Sequence, residues 1–168
     1  MFENPNEGAD TVIASVSYTL DANVETLDLA HGAGEINATG NALNNIIFGN
    51  ESNNVIDGGA GADMTWGGSG ADKFVWNSTS EATTNPYGPV DTIMDFDPAE
   101  GDKIDLRGLV NEAGGINNVF IFGFEGNGGL TWDFSVSSNT THQTLALIEV
   151  HNTTALHDLQ FWNAVIVA

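Results

Sequence analysis

Four consecutive nonapeptides fall into a single register: GNALNNIIF (40–48), GNESNNVID (49–57), GGAGADMTW (58–66) and GGSGADKFV (67–75). The last two follow the pattern G-G-x-G-x-D-x-U-x, the third departing where Thr65 stands for a large aliphatic residue and Met64 comes one place early. The first two carry Asn at the Asp position and have lost most of their glycines. Glycines admit positive φ, so six residues can turn tightly with carbonyls pointing inward. The next three form a short strand whose middle side chain enters the core. Two nonapeptides then close one coil, and coils stack about 4.8 Å apart. Each turn lies over the turn eighteen residues away, so Gly40 stacks on Gly58 and Gly49 on Gly67. The expected fold is all-β, a right-handed parallel β-roll of stacked nonapeptide turns, closed by a C-terminal antiparallel β segment.

Such turns offer hard oxygen donors to a cation. Calcium takes six to eight oxygens in flexible geometry, whereas magnesium demands a stricter octahedron and keeps its waters. The candidate ligands are the side chains of Asp63, Asp72, Asn45 and Asn54, with the turn glycines Gly58, Gly61, Gly67 and Gly70. The stacked pairs are Asn45 with Asp63 and Asn54 with Asp72. Each has one neutral member, so Asp63 and Asp72 rank above the asparagines. The charge agrees with a bound cation: 23 acidic against 3 basic residues give −20, which makes the compact state repel itself and disfavours nucleic-acid binding.

The register continues backward through residues 11–39 with apolar residues in place of ligands: Leu20, Leu29 and Ala38 precede Ile47, Ile56, Thr65 and Phe74 at the strand position, and Tyr18, Leu27 and Ile36 precede Asn45 at the turn position. Residues 11–39 are therefore expected to be parallel coils closed by packing, 40–76 calcium repeats, and 91–168 a β cap, in a single module spanning 1–168. Residues 77–90 read as a polar loop, segments 118–124, 129–136, 144–150 and 160–167 as further strands, and 107–114 as at most one helical turn. The hydrophobic content of 41% supports a packed core. There is no cysteine for a disulfide or thiolate metal site, no apolar run long enough for a membrane helix, and no signal-peptide pattern at the start. The opening NEGADTV reads as the middle of a longer array.

Asp95, Asp97 and Gly101 resemble an EF-hand loop, but the glycine is one place late and position twelve is Leu106, so that motif is rejected. Asp91, Asp97 and Asp102 either close a further calcium site where roll meets cap or form a solvated acidic turn. His151 and His157, six apart and off any helix, read as surface or strand residues rather than zinc ligands. Trp66 and Trp76 with Lys73, Lys103 and Arg107 are a candidate carbohydrate-binding patch. The favoured alternative has alternate aromatics filling the core and solvated lysines. No nucleophile or metalloprotease motif is present, so an autonomous enzyme is disfavoured.

GGAGADMTWGGSGADKFVW followed by DTIMDFDPAEGDKIDL resembles the RTX calcium-binding β-roll of proteins exported by bacterial type I secretion. The cap resembles the C-terminal R-module of secreted mannuronan C5-epimerases and, more distantly, the C-terminal domain of serralysin-type metalloproteases. The resemblance implies a non-catalytic, calcium-binding module of an extracellular bacterial alginate epimerase, an isomerase whose catalytic part is a separate domain. It implies as partners that catalytic domain, the type I secretion apparatus and alginate, with no nucleic acid and no membrane insertion; the apolar tail Val165–Val167 loosely fits an export signal. The alternatives are the equivalent domain of a secreted metalloprotease or lipase, and a calcium-stabilised adhesin repeat. Asn45 and Asn54 stand where the family has Asp, a departure that weakens calcium binding in the first coil.

Overall fold

The computed structural model describes residues 8–81, 88–112, 119–126, 131–138, 144–152 and 165–166. Beyond residue 112 it describes backbone pairing, with side chains only at Ile148, Val150 and His151.

Successive strands alternate between two sheets, which makes the chain a parallel β-solenoid. One sheet holds β1 (Thr11–Ala14), β3 (Thr26–Leu29), β5 (Ile46–Phe48), β7 (Met64–Trp66) and β9 (Asp91–Phe96). The other holds β2 (Tyr18–Thr19), β4 (Ala38–Thr39), β6 (Val55–Asp57), β8 (Lys73–Val75) and β10 (Lys103–Asp105). All these neighbours pair in parallel.

Each three-residue strand points one side chain inward, and Ile47, Ile56, Thr65 and Phe74 are all buried. Leu27, Ile47, Ile93 and Ile148 from one sheet pack with Ile56, Phe74 and Ile104 from the other in one core. Full burial of such a side chain contributes roughly 1.5–3 kcal/mol. Thr65 keeps its place because its hydroxyl donates to the Thr92 carbonyl at 3.4 Å.

Through the repeats the register is the expected one: Ile47 pairs with Thr65 and Ile56 with Phe74, eighteen residues apart. In the N-terminal coils it is not. Leu27, rather than Leu29, lies beside Ile47, and Tyr18, rather than Leu20, beside Ala38, so these two coils carry two extra residues, whereas Thr11 pairs with Thr26 only fifteen residues on. A shift of two preserves the inward face of a strand, so Leu27 and Leu29 are both buried and the in–out pattern does not reveal the slip.

After β10 a short helix, α1 (Arg107–Glu112), buries Leu109 and Val110. Its Gly108 lies so close to the Asn77 backbone that a Cβ would collide there. Strands β11 (Val119–Gly126), β12 (Thr131–Ser138) and β13 (Thr144–Asn152) form an antiparallel meander, as expected of the cap. The meander joins the roll edge to edge: β13 pairs in parallel with β9, and β14 (Val165–Ile166) in parallel with β10. Both sheets of the roll thus continue into the cap, and the last coil has no bare edge on β9 or β10. The remainder of the strand expected at 160–167, residues 82–87 of the polar loop, and His157 lie outside the described residues. Among the described residues no helix is long and apolar enough to cross a membrane.

Candidate metal centre

Two ladders of side chains run along the rows of turns. Met64 pairs with Thr92 and Lys73 with Lys103, which stacks Asp91 next to Asp63 and Asp102 next to Asp72. In the first ladder Asp63 Oδ1 accepts the Asn45 backbone N–H at 2.7 Å, and Asp91 Oδ1 accepts that of Asp63 at 3.0 Å. In the second, Asp72 Oδ1 accepts the Asn54 N–H at 2.8 Å and Asp102 Oδ1 that of Asp72 at 2.9 Å. The pairs expected from the repeat spacing are therefore adjacent.

The asparagine turns are closed by hydrogen bonds. Asn45 Oδ1 accepts the Asn41 N–H at 2.8 Å, and Asn54 Oδ1 the Asn50 N–H at 2.9 Å. Their amide nitrogens donate across the gap to the preceding turn: Asn45 Nδ2 to the Val24 carbonyl at 3.1 Å and Asn54 Nδ2 to the Ile36 carbonyl at 2.6 Å. Asn41 Nδ2 donates likewise to Asp21 and Val24, and Asn50 Nδ2 to Gly34. Amide N–H groups thus satisfy the carbonyls that a cation would otherwise gather. In this arrangement the amide nitrogens of Asn45 and Asn54, rather than their oxygens, face the preceding turn, and each side-chain oxygen accepts a backbone N–H.

The aspartate turns are open. Asp63 and Asp72 are 2% and 1% exposed, and their Oδ2 atoms are buried without a hydrogen-bond partner. An uncompensated buried carboxylate oxygen is costly, which marks both positions as places for a positive charge. Each Oδ2 lies against the first glycine of its own turn, Gly58 or Gly67, where a Cβ would collide with it. Carbonyls of the preceding turn lie against the same turns, that of Asn41 accepting the Ala60 N–H at 3.0 Å. The Asn41 and Leu43 oxygens press on Gly59 and Gly61, and the Asn50 oxygen on Gly68, so closely that side chains there would clash. A Cβ on Gly70 would meet Ser52 and Asn53 at 3.0–3.2 Å, a tight contact rather than a collision. Among the described residues no three His, Cys, Asp or Glu side chains gather as a metal site, so any site must draw on main-chain oxygens. One carboxylate oxygen with several carbonyls is a set that suits calcium better than magnesium or zinc.

Burial dominates the electrostatics. It pushes the Asp63 carboxyl up to about 8, with the charges of Asp91 and Asp57 adding to the rise. Burial likewise pushes Asp72 up to about 7, aided by Asp102, Asp95 and Glu100. Asp91 and Asp102 rise to about 6, again through burial.

The further site expected from Asp91, Asp97 and Asp102 is not assembled. Asp91 Oδ2 accepts Trp76 Nε1–H at 2.8 Å, and Asp102 Oδ2 accepts the Asp97 N–H at 2.8 Å, so both carboxylates end their ladders with each oxygen bonded to N–H. Asp97 shapes a turn, accepting the Ala99 N–H at 2.8 Å. The aromatic and cationic residues do not form one patch either. Trp66 belongs to β7 and stacks on Phe48 at 4.8 Å, while Lys73 and Lys103 belong to the opposite sheet. Trp76 is buried and Arg107 is paired with Asp105. His31 lies 2.6 Å from Glu51 on the surface, and His151 is half-buried in β13.

Four participants were missed in the sequence: Asn41, Asn50, Asp57 and Asp95. For the asparagines a signal existed. The second residue of each nonapeptide is Asn when the sixth is Asn, and Gly when the sixth is Asp. Asp57 and Asp95 lie at positions for which the pattern specifies nothing.

Residues 39–74 match the family of the RTX calcium-binding nonapeptide repeat, in four copies. No curated protein matches the chain in sequence. Among solved structures the chain is similar to the solution structure of the AlgE6R3 subunit from the Azotobacter vinelandii mannuronan C5-epimerase. That similarity has a TM-score of 0.59 and 22% identity, covering 91% of this chain and 84% of that one. This likeness is one of fold; the repeats themselves identify a calcium-binding RTX roll.

Proposed function

We propose that this chain is a non-catalytic module of a secreted bacterial poly(mannuronate) C5-epimerase, and that two calcium ions complete its fold. The observation that carries the calcium reading is the pair of orphaned buried oxygens, Asp63 Oδ2 and Asp72 Oδ2, each in a turn against which carbonyls of the preceding turn are packed. Bound calcium supplies the positive charge that these gaps need and neutralises the carboxylates. Asp63 and its turn would hold one ion, and Asp72 and its turn the other. Because the unfolded chain offers no such gap, binding free energy becomes folding free energy.

The epimerase assignment rests on the fold shared with an epimerase subunit and on the DFDPAEGDKIDL segment, and it favours that parent over a protease or lipase. A calcium-dependent fold suits export. Extracellular modules bind calcium at about 10⁻⁴–10⁻³ M, so the Asp turns stay open in calcium-poor cytosol and close outside the cell. Direct contact with alginate is secondary in this reading, since a chain of charge −20 repels a polyanion unless calcium bridges them.

The test is circular dichroism of chelator-stripped protein over that calcium range, together with incubation of the chain with polymannuronate. Structure gained at submillimolar to millimolar calcium, without C5 inversion, is the expected result. A calcium-independent spectrum would overturn the folding role, and inversion of the sugar by this chain alone would overturn the non-catalytic assignment.

A further inference from the structure

The open and closed turns differ in the direction of a single N–H group. In the closed turns the second residue, Asn41 or Asn50, points its N–H inward onto the asparagine oxygen. In the open turns the second residue is Gly59 or Gly68, with φ of 84° and 88°. There the N–H points outward. Gly59 donates to Asp57 Oδ1 at 3.0 Å, and Gly68 to Asp95 Oδ2 at 2.9 Å.

An inward N–H would occupy the aspartate oxygen and direct the positive end of a peptide dipole at the place meant for a cation. Turned outward, it leaves that oxygen bare. Something must hold it outward, and in both turns a carboxylate does. Asp57 is braced by Asn77 Nδ2, which donates to its other oxygen at 2.6 Å. Asp95 also accepts the Gly67 N–H, at 2.8 Å, and so grips two successive amides. The two residues reach their posts from different directions: Asp57 closes the preceding nonapeptide, whereas Asp95 comes from the next coil.

We infer that Asp57 and Asp95 are positioning residues for calcium, acting through the glycine amides they hold rather than by touching the ion. Each keeps one turn in the orientation that frees its aspartate oxygen, Asp57 for the Asp63 turn and Asp95 for the Asp72 turn. The inference rests on the calcium reading above. It goes beyond that reading by assigning a role to two residues outside the repeat's ligand positions. Partners that orient a metal's ligands typically contribute 10–100-fold to affinity.

Calorimetric titration with calcium in single-site backgrounds tests it. In D72A, which keeps only the Asp63 turn, adding D57A should weaken calcium binding 10–100-fold. D57N, which keeps an oxygen acceptor but loses the charge, should restore affinity to within about threefold. D95A should leave this site alone, and in D63A the roles of Asp57 and Asp95 should exchange. Unchanged affinity in D57A would overturn the inference. So would an equal loss in D57N and D57A, which would mean that charge alone acts. If D57A fails to fold, D57N decides: affinity near that of its parent supports hydrogen-bonded positioning, and a loss above tenfold refutes it. Failure of the wild-type chain to take up calcium would remove the calcium reading itself, and this inference with it.

Discussion

Asn45 and Asp63 occupy the same place in successive coils, and they differ by an amide in place of one carboxylate oxygen. The amide closes its own turn and donates to the turn before it, whereas the carboxylate is left with a bare buried oxygen. Replacing Asp63 or Asp72 by alanine should therefore remove one calcium ion each. Replacing Asn45 or Asn54 should leave the stoichiometry unchanged and destabilise the metal-free protein by about 1–3 kcal/mol, the usual effect of stranding buried polar groups. Calcium counted by titration, and denaturant unfolding in chelator, separate the two classes. Loss of an ion in N45A would contradict the division.

The same carboxylates set the pH dependence. Without metal, folded Asp63 and Asp72 titrate at about 8 and about 7, against about 3.9 for an unfolded aspartate. Between these limits the folded state holds protons that the unfolded chain has released, so stability falls as pH rises. The melting temperature in chelator should drop from pH 5.5 to pH 8.5, while calcium affinity rises over the same window as ion and proton compete. A metal-free melting temperature that climbs with pH would contradict this account.

At the scale of strands and turns, the nonapeptide register was fully legible from Gly40 to Val75, because glycine, ligand and core positions all repeat there together. Upstream only the in–out alternation remains, and alternation is blind to a slip of two; Leu27 in place of Leu29 beside Ile47 is the result. Charge alone singles out Asp63 and Asp72, the two carboxylates whose Oδ2 atoms the fold leaves buried without a partner. That Asp91 and Asp102 would be consumed by Trp76 and Asp97 was not legible, since those bonds join segments with no common repeat. Turn geometry makes its own prediction. Gly59→Ala combines a φ of 84° with a clash against the Asn41 carbonyl, and should lower stability by at least about 1–3 kcal/mol while weakening calcium at the Asp63 turn. Calcium-loaded and metal-free unfolding of the variant check this. An alanine variant as stable as wild type in both states would show that the turn is not built as described.

Across the whole molecule, closure changes character along the chain. The coils up to residue 57 are held by apolar packing and asparagine amides, those from 58 to 75 by open aspartate turns, and the cap continues both sheets from β9 and β10. The metal-free protein should then keep its first coils as a template on which the calcium turns close. Hydrogen exchange in chelator should protect the amide of Ile46, which donates to Glu25, more than those of Met64 and Lys73, which donate to Asn45 and Asn54, with calcium raising the latter. Uniform exchange would mean that the roll folds as one unit regardless of metal.

In the proposed reading two aspartate turns, and no others among the described residues, take up calcium to complete the fold. Calcium titration of chelator-stripped protein, with thermal melting followed in parallel and magnesium as control, tests it most directly. The expected result is two ions per chain, a calcium-specific rise in melting temperature, and neither in the D63A/D72A double variant. Uptake that persists in the double variant, or a wild-type chain indifferent to calcium, would contradict the account.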